Sequence, residues 1–124
     1  MKRLTCRQIE EMHRLLILET GGMEGIRDQA LLESAANAPF QTFGGEDLFQ
    51  SVREKAAHLC YYLIQNHPFI DGNKRIGILV MLTFLDLNGI PVSCTDDGLI
   101  EIGFALANGT MDSGQLTRWL AEHS

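Results

Sequence analysis

The string His67-Pro68-Phe69-Ile70-Asp71-Gly72-Asn73-Lys74-Arg75 puts an imidazole, a carboxylate and two cations within nine residues. The residue before a proline is pushed away from the α region, so a helix arriving here ends at about His67 and leaves the imidazole at a helix edge. Gly72 and Asn73 then open a strongly apolar segment, and the first free N–H groups and positive dipole end of such a helix accept anions. Lys74 and Arg75 fall in its first turn, where each cation opposes the dipole at a cost of about 0.3–1 kcal/mol. Their placement asks for a bound anion. Together these parts suffice to move a phosphate-containing group onto a hydroxyl. His67, a residue type that titrates near neutrality, can take the hydroxyl proton. Asp71 can hold a magnesium ion through oxygen, and that ion in turn binds nucleotide phosphates. Backbone N–H groups with Lys74 and Arg75 can hold the charge that grows on the transferred group. Taken singly, each residue has a plainer use: Asp71 as an N-cap, the two cations as a solvated first turn, His67 as a hydrogen-bonded helix end. Their coincidence is what points to chemistry.

The elements that must carry this loop read as helices. Thr5 and Gln8 have the form of a capping box, and Ile9, Met12, Leu15, Leu16 and Leu18 recur at mostly helical spacing up to Gly21-Gly22, which predicts a first helix over about 5–20. Asp28 caps a second one that ends before Pro39. Residues 39–45, with Phe40, Phe43, Gly44 and Gly45, have no helical period and form a turn or short ribbon. A third helix runs from about Asp47 to Asn66, with Val52, Ala56, Leu59, Cys60 and Leu63 on its buried stripe and Lys55 off it. The segment after the loop, 73–88, is apolar on nearly every side, as a central helix surrounded by others would be, and Asn88-Gly89 stops it. Thr95 or Asp96 opens a fifth helix to about Asn108, and Ser113 a sixth. No strand of convincing length appears. The expected architecture is an all-α bundle, one domain over residues 1–124.

A chain of 124 residues with 45% apolar and 21% charged residues is long enough to bury a core. Its net charge of −6 disfavours a nucleic-acid-binding surface. Cys6, Cys60 and Cys94 are too far apart for a CxxC pair, and each falls among apolar neighbours, which suits free thiols in a reducing cytosol. Polar helical sequence directly after Met1 predicts no secretory signal, and the apolar run from Ile76 to Leu85 is too short to span a membrane. A cytoplasmic protein is expected. No GxxxxGK[ST] loop, GxGxxG turn or HExxH pair occurs, which removes P-loop kinases, dinucleotide enzymes and zincins.

The loop string closely resembles the signature of the Fic proteins and, with Lys74 where typical Fic enzymes have a glycine, that of the Doc (death-on-curing) branch. Gly21-Gly22, Gly25-Ile26-Arg27-Asp28, Leu31-Leu32-Glu33-Ser34-Ala35, Thr42-Phe43-Gly44-Gly45, Phe84-Leu85 and Asn88-Gly89 extend the likeness over roughly residues 7–120. The resemblance implies a compact helical domain in which His67 is the general base, Asp71 the magnesium-supporting carboxylate, and Gly72, Asn73, Lys74 and Arg75 the phosphate cradle. Fic enzymes transfer the adenylyl group of ATP to protein hydroxyls. Doc toxins are associated with phosphoryl transfer to a threonine of elongation factor Tu, which blocks translation, and are held in check by a flexible segment of a Phd-type antitoxin lying in a groove.

Two departures bear on the choice of chemistry. The adenylylating pattern continues Arg-x-x-Arg, but position 78 is Ile78, so the second phosphate clamp is missing. Lys74 replaces a small glycine with a cation. Both favour phosphoryl over adenylyl transfer. A catalytically idle member kept as a binding module is the rival from another class; it should show damage in the loop, and the loop is intact. Thr20-Gly21-Gly22-Met23-Glu24-Gly25 formally fits the family's self-inhibitory pattern, but its glycines disfavour the helix that pattern needs, and restraint is expected in trans. The resemblance also puts a target-docking flap near 39–45, with Thr42 and Gly44 as candidates and Phe40 and Phe43 tucked into the core. His13, His58 and His123 have no partners at metal-ligand spacing and read as structural or solvated, and Trp119 as core.

Overall fold

A computed structural model describes residues 1–124. Six helices carry the chain: α1 (Cys6–Thr20), α2 (Gln29–Asn37), α3 (Val52–Asn66), α4 (Asn73–Leu87), α5 (Asp96–Asn108) and α6 (Ser113–Glu122), with a 3₁₀ turn at Ala38–Phe40. The only sheet is an antiparallel hairpin of β1 (Thr42–Phe43) and β2 (Glu46–Asp47), in which Thr42 faces Asp47 and Phe43 faces Glu46. Gly44 and Gly45 form its two-residue turn, both at positive φ (61° and 84°), the conformation such a hairpin requires. The all-α architecture expected from the sequence is therefore present.

Side-chain caps start every helix but α4. Thr5 and Gln8 form the capping box of α1, Asp28 caps α2, Thr95 caps α5, and Asp112 with Gln115 forms a second capping box at α6. α3 begins five residues later than its periodicity suggests, because Ser51 caps it by accepting from the Glu54 N–H at 3.0 Å. Asp47 belongs to β2 instead. Lys55, expected on the solvent side, is 2% exposed: its ammonium donates to Asp47 Oδ2 at 3.2 Å and to the Phe49 carbonyl. A buried ammonium survives only with such partners, and here they tie the hairpin's root to the first turn of α3. Phe43 also departs from expectation. It stands 84% exposed on the hairpin, whereas Phe40 packs edge-on against Phe84 and under Arg3.

α3 and α4 form the centre. Ala56, Leu59, Cys60, Leu63 and Ile64 of α3 meet Ile76, Val80, Met81, Phe84 and Leu85 of α4 in one core cluster. Gly77 lets the two approach: a Cβ there would lie 3.0 Å from Ile64 Cγ1 and 3.2 Å from the Cys60 carbonyl. α4 is nevertheless not enclosed on all sides. Ile78, Leu79 and Leu82 are half-buried and floor an open groove of about 590 Å³ that Leu16 of α1 and Leu99 and Phe104 of α5 also line. The apolar sequence of α4 thus serves a core face and a groove face. Cys60 is buried, while Cys94, expected to pack as a small hydrophobe, is exposed on the segment before α5. No helix is long and apolar enough to cross a membrane.

Candidate active site

Two helix ends meet at the loop. α3 stops at Asn66, and His67 takes the left-handed conformation (φ 49°, ψ 53°), the sole non-glycine with positive φ. That conformation costs a residue with a Cβ on the order of 1–2 kcal/mol, and Arg27 holds it. Its Nε donates to the His67 carbonyl at 2.6 Å and its Nη2 to the Asn66 carbonyl at 2.9 Å, a cation on the last carbonyls of a helix. The His67 imidazole is left exposed at the rim of a polar recess.

Backbone partners pin the next residues. The Pro68 carbonyl accepts from the Arg27 and Asp28 N–H groups (2.7 and 3.0 Å), and the Ile70 N–H donates to Gly25 (3.1 Å). The Asn73 side chain, 5% exposed, bridges Phe69: its Oδ1 accepts the Phe69 N–H and its Nδ2 donates to the Phe69 carbonyl, both at 3.0 Å. The Asn73 side chain thus braces the loop, and its backbone N–H, the first of α4, is free to face an anion.

Asp71 is not the N-cap of α4; Gly72 is, at φ 78° with no side-chain cap bond. The Asp71 carboxylate accepts the Met23 N–H on Oδ2 at 3.1 Å and the Gly72 N–H on Oδ1 at 2.8 Å, with Arg75 Nη2 3.8 Å away. The Met23 N–H first, then the Gly72 N–H and the nearby Arg75 charge, hold its carboxyl below the usual range. Arg75 donates from Nη1 to Thr20 Oγ1 (2.6 Å) and to the Gly21 carbonyl (2.8 Å), so the turn after α1 lies across both residues. Gly22 fits this turn because a Cβ would stand 2.6 Å from Asp71 Oδ2 and 3.1 Å from Arg75 Nη2. Residues 21–25 form no helix and Glu24 is exposed. Lys74 is exposed with its ammonium over the Phe104 ring, 5.2 Å from the centroid.

His67, Asp71, Gly72, Asn73, Lys74 and Arg75 all line the recess, of about 410 Å³. Thr42 and Gly44 do not. Their hairpin is rooted at the Val52 end of α3, and a helix of 15 residues separates its ends by roughly 22 Å. The chain itself supplies no cluster of three metal-ligating side chains. Asp71 still suits a magnesium ion that arrives with phosphates: its carboxyl is held in the ionised form, its side chain is 46% exposed, and each of its oxygens accepts one hydrogen bond of the two it can take. Arg27, Gly22 and the buried His13, whose ring stacks on Phe69, belong to the site's support and escape sequence reasoning, since their partners lie about 40 to 60 positions away.

The profile of the Fic/DOC family matches residues 3–85, which take in α1 to most of α4 and the whole recess loop. The chain belongs to the Fic/DOC family. Within that family it is similar to a protein named toxin Doc from Mycolicibacterium smegmatis (strain ATCC 700084 / mc(2)155), 38% identical over 77 residues. That match covers 62% of this chain and 59% of the relative, so the chain spans less than two thirds of the relative's length. In this Fic/DOC chain the family match ends inside α4, and α5, which lends Phe104 to Lys74 and Ala107 to the recess, lies beyond it.

Proposed function

We propose that this chain is a Doc-type toxin: an ATP-dependent phosphotransferase that modifies a threonine hydroxyl of a translation factor such as elongation factor Tu in the cytoplasm and so inhibits translation. The observation that carries this reading is the charge arrangement of the recess. Lys74 and Arg75 share it with Asp71 and His67, while Ile78 faces the apolar groove, so no second arginine stands where the adenylylating pattern has one.

In this reading the hydroxyl oxygen bonds to the γ-phosphorus, the bond from that phosphorus to the bridging oxygen breaks, ADP leaves with the electron pair, and His67 takes the proton. The N–H groups opening α4 face the phosphates. Arg75 spends its Nη1 on Thr20 and Gly21 and keeps Nε and Nη2 for charge in the recess. Asp71 would hold magnesium, which neutralises phosphate charge when bound. Thr42 and Gly44, at the far end of α3, are within reach only of a substrate of protein size. The groove between α1, α4 and α5 suits a segment of a Phd-type antitoxin: its floor is apolar, and Lys74 and Arg75 at its edge favour an acidic residue beside the apolar ones.

The test incubates the protein with magnesium, a cell lysate and ATP labelled in parallel on the α and γ phosphates. Transfer of γ label that disappears in His67→Ala supports the proposal. Transfer of α label replaces it with adenylyl transfer, and no transfer of either, with His67→Ala indistinguishable from wild type in a growth assay, replaces it with a binding module.

A further inference from the structure

His13 is the one buried ionisable group near the recess that the proposed reaction does not use. It sits in the middle of α1, 2% exposed, with its ring parallel to Phe69 (centroids 3.8 Å apart, 6° between planes). Its Nε2 is 2.7 Å from the backbone carbonyl of Asp71. A carbonyl oxygen can only accept, so Nε2 carries the proton and donates.

The consequence follows from how the rest of the loop is held. Pro68, Phe69 and Ile70 are fixed by the turn at Gly25 to Asp28 and by the Asn73 side chain. The peptide between Asp71 and Gly72 has a different status. Gly72 follows it at positive φ, and a residue without a Cβ leaves that peptide free to rotate between orientations. The peptide is a rigid plane whose C=O and N–H point in opposite directions. Fixing the Asp71 carbonyl therefore fixes the direction of the Gly72 N–H, which in this structure points to Asp71 Oδ1. One hydrogen bond from α1 thus sets an N–H at the anion-binding end of α4 and, together with the Met23 N–H on the other carboxylate oxygen, helps hold the rotamer of Asp71 beside it.

We infer that His13 is a positioning residue of the active site, locking the Asp71–Gly72 peptide so that the Gly72 N–H and the Asp71 carboxylate keep their orientation in the recess. The inference rests on the proposed function for its catalytic readout, and its structural core stands apart from it. Two variants separate donor from ring. His13→Phe keeps an aromatic ring against Phe69 and removes the donor; His13→Gln keeps an N–H donor and removes the ring.

With γ-labelled ATP and the target protein, His13→Phe should lower kcat roughly tenfold, the order expected for one lost hydrogen bond, with KM for the target protein little changed. His13→Gln should recover most of that loss. Amide hydrogen exchange gives the second readout and needs no activity: the Gly72 N–H should exchange faster in His13→Phe than in wild type, with α3 and α4 core amides unchanged, and should be protected again in His13→Gln. A His13→Phe protein with wild-type kcat and wild-type Gly72 exchange overturns the inference. If His13→Phe does not fold, His13→Gln decides: wild-type kcat and Gly72 protection support it, and loss of both overturns it. If wild type transfers no phosphate, the function proposed above fails, and the exchange comparison alone supports or overturns the lock.

Discussion

Gly21 and Gly22 form an internal control for how tightly the turn after α1 packs on the recess. Both sit at positive φ, 87° and 116°, so alanine is strained at either, by on the order of 1–3 kcal/mol. A Cβ on Gly21 meets nothing within 4 Å, whereas one on Gly22 would meet Asp71 Oδ2 at 2.6 Å, Arg75 Nη2 at 3.1 Å and Ile17 Cδ1 at 3.2 Å. The carboxylate cannot stay where it is. Moving it breaks its bond from the Met23 N–H and loosens the turn that Arg75 ties to Thr20 and Gly21. Gly22→Ala should therefore unfold at lower urea than Gly21→Ala, by about 1–3 kcal/mol, the range for a methyl forced into space that is already occupied. Circular dichroism of the two variants in parallel urea titrations measures the difference. Equal stabilities would refute the packing of this turn on Asp71, whatever the absolute loss in each.

Asp71 gives a pH signature. Because its folded-state carboxyl is held below the ordinary range by the Met23 and Gly72 N–H groups, its contribution is fully present above about pH 3.9, the ordinary value, and is lost as pH falls through the folded value. The gap in melting temperature between wild type and Asp71→Asn should be constant from neutral pH down to mildly acid conditions and then shrink; a gap that holds or widens down to pH 2 would contradict it. The thiols should separate by burial. Cys60 is enclosed and burial pushes its pKa up, while Cys94 is exposed and raised by its surroundings and by Asp96. A thiol reagent at mildly alkaline pH should label Cys94 in the folded protein and Cys60 only in urea, and fast labelling of Cys60 in the native state would count against its enclosure between α3 and α4.

What was legible in the sequence is what short-range chemistry determines. Thr5, Asp28 and Thr95 announce their helices because an N-cap bond closes within three residues, and the His67-to-Arg75 string reads as a site because its parts are consecutive. Ser51 carried the same kind of signal with Glu54, and was masked by charged residues upstream that fit a helical pattern equally well. Lys55 and Phe43 were misplaced for one shared reason: burial depends on partners brought by tertiary structure, here Asp47 and the Phe49 carbonyl for the lysine, and a hairpin carried clear of the core for the phenylalanine. Likewise the Arg27 bonds to Asn66 and His67 span 39 and 40 positions, and the His13 bond 58. No periodicity encodes those separations.

Lys74 and Arg75 line both the polar recess and the apolar groove, and shared walls have a thermodynamic consequence. Two occupants that draw on the same pair of cations cannot bind independently. Whatever in the groove engages those charges alters affinity for an anion in the recess, and the anion alters affinity for the groove's occupant by the same factor. Nucleotide concentration and restraint of the protein would then be two readings of a single coupling constant, fixed by a pair of adjacent side chains at the start of α4.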